Sequence, residues 1–305
     1  MAGQVLSVVD SFDQDGFVSL GDIVSADACA TLMAALRRSR RFGPDIFLSE
    51  AEFDANPQYK GVNPVDGRNL FQALKPQSDF ILQTPALRQA LGDLLGSGYT
   101  VLNEKFVCGV PDKWLPDWLK SRIAGRPVNN LGPYVRPEYR DITYFYGIDF
   151  HQDIIDWKSR FSDFITLYVY IHPVQVSDAP LYVLPGSHVL GATVFPHDLS
   201  KKDGGGWAYK ASEGRCVEVR EQVLTGGTGY AAMWHACTLH GTQPVTADNE
   251  RFSARFLIAR SEAAHTGLDR VNAHIDGPLS LEETRTDLDA RGAAILRGNI
   301  ITQTQ

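Results

Sequence analysis

The spacing of apolar positions changes along the chain, from helical over the first third to alternating beyond about residue 140. Residues 1–125 predict mainly helices. Ser25 can cap one in which Cys29, Leu32, Met33 and Leu36 recur at i, i+3, i+4 and i+7. A second is marked by Thr84 as cap, Pro85 at the first position, Leu87, Leu91, Leu94 and Leu95 as the stripe, and Gly96 as the stop. From 142 onward, short strands are predicted at 142–150, 164–172, 180–184, 215–220, 229–234 and 252–259, rich in Val, Ile, Thr, Tyr and Phe. Strands in series without helices between them predict an antiparallel sandwich or jelly roll, not a parallel α/β sheet.

Two stretches break this texture: 111–141, dense in proline and glycine, and 196–214, with Gly204-Gly205-Gly206. Long loops on a β scaffold are common places for lids, although a solvated insertion would read the same way. Ser280 and Glu283 predict a capping box for a last helix. With no repeat or linker, we expect one elaborated domain over 1–305. It comprises a mainly helical support at 1–125, a β core at 140–260 and a C-terminal extension at 261–305.

Composition narrows the partners. The 305 residues are 44% hydrophobic, enough to fill a sizeable core. A net charge of −7 without a basic block argues against nucleic acid. Cys29, Cys108, Cys216 and Cys237 are scattered, which suits buried thiols in a reducing compartment better than a disulfide framework. No basic leader or membrane span is legible, so the cytoplasm is the expected location.

The chemistry begins at His151-Gln152-Asp153, after the strand pattern ITYFYGIDF. Side chains two apart on a strand share a face, so an imidazole and a carboxylate can reach one metal ion. The HxD pattern is also frequent by chance, and a third ligand must come from elsewhere. His240 is the best placed. His235 is a rival, but on a continuous strand an odd separation would put the two on opposite faces. Two histidines and a carboxylate occupy one face of an octahedron and leave the other face open, as in Fe(II) oxygenases. Arg251 follows, with Ser253 and Arg255 on its face. A guanidinium beside a hydroxyl suits the distal carboxylate of a small diacid, although arginines more often serve surface ion pairs.

The order His151-Gln152-Asp153, then PLYVLPGSH (Pro180 to His188), LHGTQP (Leu239 to Pro244) and Arg251 resembles the phytanoyl-CoA dioxygenase family of 2-oxoglutarate-dependent oxygenases. FDQDGFVSLGDIVS (Phe12 to Ser25) is similar to the family's N-terminus. The resemblance implies a mainly β fold with flanking helices, a double-stranded β-helix of the jelly-roll, cupin-like kind. It implies His151, Asp153 and His240 as the iron triad, Arg251 as anchor of the 2-oxoglutarate C5 carboxylate and Ser253 as a helper. With Fe(II), 2-oxoglutarate and O2, it implies a dioxygenase that hydroxylates a small-molecule metabolite and releases succinate and CO2.

There are departures. Gly229-Tyr230 stands where members often carry Gly-Asp, and 111–141 matches nothing familiar. Asp153 fills the position that related halogenases leave open, which favours hydroxylation, with desaturation or ring chemistry as variants. Two other readings stay open: a non-catalytic β-helix that binds a small ligand, and a metal-dependent cupin-like enzyme that ignores 2-oxoglutarate.

Lys120, Arg122, Arg126, Arg136 and Arg140 hint at an anionic substrate, though a solvated loop would carry them too. Trp157, Tyr144 and Tyr146 flank the metal motif as candidate pocket walls. Of the other histidines, His188 reads as loop support and His172 as structural, while His197, His265 and His274 have no partner legible in the sequence.

Overall fold

The computed structural model describes residues 6–55, 59, 61, 63–65, 67–261 and 265–289. Its strands are β1 Phe17–Asp22, β2 Thr100–Gly109, β3 Val128–Asn130, β4 Thr143–His151, β5 Phe164–Tyr170, β6 Leu181–Val183, β7 Asp198–Lys201, β8 Trp207–Lys210, β9 Cys216–Val219, β10 Gln222–Leu224, β11 Tyr230–His235, β12 His240–Thr242 and β13 Arg251–Ala259. One curled sheet runs in the order β1-β11-β5-β13-β2-β4-β12-β6-β10, with β3 on the side of β4. A smaller sheet, β7-β8-β9, stands apart. Neighbours pair antiparallel except β2 and β4, which run parallel. The result is the double-stranded β-helix that the strand texture and the resemblance predict.

Burial explains the layout. Every residue of β5 is buried, as expected of a strand covered on both faces. Helices cover one side. In the helix Ala26–Ser39, the Ser25 side chain accepts from the Ala28 amide, and Cys29, Leu32 and Leu36 are buried. In the helix Pro85–Leu95, Leu87, Leu91, Leu94 and Leu95 join Phe106 of β2 and Phe256 of β13 in the largest apolar cluster. Thr84 precedes that helix, but its hydroxyl donates to the Phe80 carbonyl at 3.0 Å and does not cap it.

Three sequence expectations need correction. The first 125 residues also contain β1 and β2, and β2 lies in mid-sheet between β13 and β4. Asn103, Glu104 and Lys105 interrupt its apolar run, which hid the strand. The helix expected at Ser280–Glu283 is irregular chain. The last helix among the described residues is Gly267–Ala273, with Thr266 and Asp269 as its capping box. Residues 290–305 of the C-terminal extension lie outside the described residues. Finally, neither irregular stretch is bare loop: 111–141 holds a helix, Asp117–Ile123, and β3, while 196–214 holds β7 and β8. Among the described residues, no helix is long and apolar enough to cross a membrane.

Gly16 ties the N-terminus to the region that will matter most. It ends the helix Val8–Asp15 in a left-handed conformation, φ 62°, and its carbonyl accepts from the His235 amide at 2.9 Å and the Thr238 hydroxyl at 2.7 Å. A methyl group there would overlap the His188 ring and the Thr238 hydroxyl. Gly16→Ala is therefore expected to cost about 2 kcal/mol or more, read as a lower midpoint in urea unfolding.

Candidate metal and acid site

His151 closes β4 and His240 opens β12, and the two are direct partners across the antiparallel pair. Their ring centroids are 4.2 Å apart. Asp153 follows His151 by two residues at the start of a 3-10 turn, Asp153–Asp156. One ligand atom from each of His151, Asp153 and His240 can be chosen so that all lie within 4.8 Å of one another. The structure thus brings together the three residues expected to bind metal.

Local hydrogen bonds prepare each donor. His151 Nδ1 lies 3.0 Å from the Asp149 carbonyl and His240 Nδ1 lies 3.1 Å from the Thr238 carbonyl. A carbonyl only accepts, so Nδ1 carries the proton and Nε2 keeps the lone pair. Burial pushes both imidazoles down, His240 to about 3, so both are neutral as metal binding requires. Burial would push the Asp153 carboxyl up. The Arg255 charge and the Thr166 hydrogen bond outweigh it and hold the group below the usual carboxylate range. Asp153 Oδ2 accepts from the Thr166 hydroxyl and from Trp234 Nε1 at 3.0 Å, and Oδ1 accepts from Arg255.

A cleft with about 570 Å³ of empty volume opens over these ligands. Phe145, Ile148, Leu181 and Trp234 give it apolar walls. Arg251 lines it and is buried, 1% exposed. Its Nη1 donates to the Ala179 carbonyl and its Nη2 lies 3.4 Å from the Tyr168 hydroxyl. Arg251 Nε and the Ser253 hydroxyl are buried without a hydrogen-bond partner among the described residues. Unpaired buried donors are costly, and that of Arg251, which lines the cleft, suits an acid oxygen. Ser253 is not itself among the residues lining the cleft.

Several other expectations turn out differently. The turn 236–239 separates β11 from β12, so His235 and His240 do not share a continuous strand. His235 is turned away and engaged: Nε2 lies 2.9 Å from Asn272 Oδ1, and Nδ1 accepts from the Cys237 amide. His197 and His274 do have partners, Thr193 Oγ1 at 2.7 Å and Asp13 Oδ1 at 2.5 Å. His172 is structural, its Nε2 accepting from the Phe252 amide at 2.9 Å.

Tyr144, Tyr146 and Trp157 do not line the cleft. Phe145 and Ile148 do, because β4 is not a regular ladder: Gly147 takes φ 72° and the register against β12 shifts between Ile148 and His151, so strict alternation does not hold along it. The basic residues of 111–141 are spent elsewhere. Lys120 pairs with Asp112, Arg122 with Asp54 and Arg136 with Glu52. Arg126 bonds the Tyr134 hydroxyl, and Arg140 bonds the Val135 carbonyl and stacks on Tyr59. None of the five lines the cleft, so they are no guide to substrate charge.

Sequence reading missed Thr166, Trp234, Tyr168, Lys105 and Asn63. Strand parity from Asp153's neighbours would have found the first three only once the strand order was known.

The sequence matches the family model described as Phytanoyl-CoA dioxygenase (PhyH) over residues 12–253. Among solved structures, the epimerase SnoN in complex with Fe3+, alpha ketoglutarate and nogalamycin RO is similar, with TM-score 0.51 and 15% identity over 96% of this chain and 93% of that one. The non-haem alpha ketoglutarate dependent carbocyclase SnoK from nogalamycin biosynthesis follows at TM-score 0.48 and 12% identity, over 92% of this chain and 93% of its own. No curated protein sequence matches. At such low identity the likeness to SnoN speaks for the fold, while the family match covers most of the sequence. The chain belongs to the phytanoyl-CoA dioxygenase family.

Proposed function

We propose that this chain is a non-haem iron dioxygenase, with His151, Asp153 and His240 as Fe(II) ligands and Arg251 as anchor of 2-oxoglutarate, that hydroxylates a small molecule. The observation that carries the reading is the convergence of two neutral imidazoles and one ionised carboxylate within 4.8 Å, in a cleft that also holds a buried arginine. This donor set fits an octahedral divalent metal with open positions. Iron bound there would supply the redox chemistry, in which 2-oxoglutarate becomes succinate and CO2 as dioxygen is reduced and one oxygen atom passes to the substrate.

The chain's own residues do the rest. Thr166, Trp234 and Arg255 grip both oxygens of Asp153, so the carboxylate keeps one orientation. Arg251, backed by the Ala179 carbonyl and Tyr168, offers the distal acid a charged partner in a dry setting, where the attraction is strongest. Phe145, Ile148 and Leu181 keep bulk water away from the reacting centre. We take residues 1–305 as one oxygenase unit, since the helical first third contributes β1 and β2 to the sheet.

Anaerobic titration of Fe(II) and 2-oxoglutarate into the protein should produce a visible metal-to-ligand charge-transfer band, and no band at saturating iron would sink the reading. Arg251→Ala should keep metal binding and weaken 2-oxoglutarate by about tenfold to a hundredfold. Once a substrate is found, hydroxylation requires a product that gains one atom of label from isotopic dioxygen. A product lacking two hydrogens, or one of unchanged mass, would replace hydroxylation by desaturation or epimerisation.

The third ligand has its own test. His240→Ala should abolish tight Mn(II) binding, measured by calorimetry. His235→Ala should leave that binding intact while lowering stability by about 1–3 kcal/mol through the stranded Asn272 amide and Cys237 N–H.

A further inference from the structure

The cleft has two ends of different character. At the inner end, Arg251 is sealed from solvent. At the other, the lining includes exposed Asn63 and Asp156, whose side chain is 55% exposed. This outer end carries two more basic side chains. Lys105 of β2 and Arg255 of β13 are direct partners in the antiparallel register, so they point to the same side of the sheet. Both line the cleft. Arg255 stands four residues from Arg251, about 13 Å along the strand.

Lys105 is unusual for its surroundings. It is only 2% exposed, and its hydrogen-bond acceptor among the described residues is the Asn63 side-chain oxygen, a neutral group. Buried lysines are ordinarily paired with a carboxylate. The nearby acids are committed: Asp153 to Arg255 and the metal position, Asp156 to Arg285 at 3.6 Å. Burial and the Arg255 charge push the Lys105 amine well below its usual range, against the pull of Asp156 and Asp153. Arg255 uses Nη2 on Asp153, and among the described residues its other nitrogens have no acceptor. A 2-oxoglutarate held by Arg251 and reaching the metal ligands would fill the inner end and leave these donors for whatever enters from outside.

We propose that Lys105, Asn63 and the free edge of Arg255 form a second carboxylate-binding subsite at the outer end of the cleft, which receives the acid group of the substrate. The inference deepens the oxygenase reading and depends on it: the substrate is an organic acid, bound by its carboxylate with the carbon to be oxidised lying over the metal ligands. The alternative source of a carboxylate at this spot is the metal-proximal end of 2-oxoglutarate, and the test separates the two.

Full-length protein loaded anaerobically with Fe(II) and saturating 2-oxoglutarate is titrated with hexanoate and with its neutral twin hexanamide, following perturbation of the charge-transfer band. Hexanoate should shift the band without erasing it and bind at least about tenfold more tightly than hexanamide. Lys105→Met should remove that preference while changing the 2-oxoglutarate dissociation constant by less than about twofold, and Lys105→Arg should restore part of it. The inference is overturned if the two probes bind alike, or if hexanoate fails to bind protein that forms the band. It is also overturned if Lys105→Met weakens 2-oxoglutarate instead, which would assign the subsite to the cosubstrate. Absence of the band itself would instead strike the oxygenase reading. A melting curve of each variant guards against loss by misfolding.

Discussion

The pairing of His151 with His240 across β4 and β12 is the constraint on which the rest of the site depends. Side chains alternate along a strand, so a slip of one residue in either strand would turn its imidazole out of the cleft and break the pair. The register is held by the residue between His151, at the end of β4, and Asp153, just past it. Gln152 points the opposite way and is wholly buried. Its amide donates to the carbonyls of Gly191 and Cys237, and its oxygen accepts from the Thr193 amide. One side chain thus fastens the turn before His240 and the segment after the Ser187–Leu190 turn to the strand that bears His151. Losing that amide would leave several buried backbone groups unpaired, at a cost no surface contact could offset.

Asp153 is the electrostatic counterpart of that geometric anchor. Thr166 comes from β5, Trp234 from β11 and Arg255 from β13, so three further strands end on a carboxylate supplied just past β4. A carboxylate this deep is tolerable only because a guanidinium and two neutral donors replace its hydration. The metal-binding orientation therefore exists in the fold itself, and binding need not pay for ordering it. Arg251 is built on the opposite principle. Its Nη1 is satisfied by a carbonyl, but Nε and the neighbouring Ser253 hydroxyl are not. The first cluster is complete within the protein, whereas the second keeps buried donors unpaired among the described residues.

How much of this was legible in the sequence follows from which interactions are local. Strands β4, β5, β11 and β13 announced themselves through β-branched and aromatic runs, and His151 with Asp153 through their spacing. Strand β2 did not, because Asn103, Glu104 and Lys105 break the apolar pattern that would have marked it, and Lys105 lines the cleft. His235 and His240 differ in their spacing to Arg251, but strand parity does not separate them, because the turn 236–239 lies between. Lys105 and Asn63 were beyond reach altogether, since their meeting depends on the β2–β13 register and on a segment from the helical third of the chain.

The charges of the 111–141 stretch complete the contrast between surface and interior. Arg122 and Arg136 reach back to Asp54 and Glu52 on the helix Glu50–Ala55, and Lys120 reaches Asp112, which also accepts from the Tyr146 hydroxyl. These exposed pairs fasten the stretch to the helices but are too well solvated to select a ligand. A charge inside the cleft works under other rules. Water does not screen it, so its attraction for an opposite charge is strong. The basic residues that line the cleft, Lys105, Arg251 and Arg255, all stand on strands, where position is fixed by hydrogen-bond register, and the irregular segments above act as fasteners for the wall they cover.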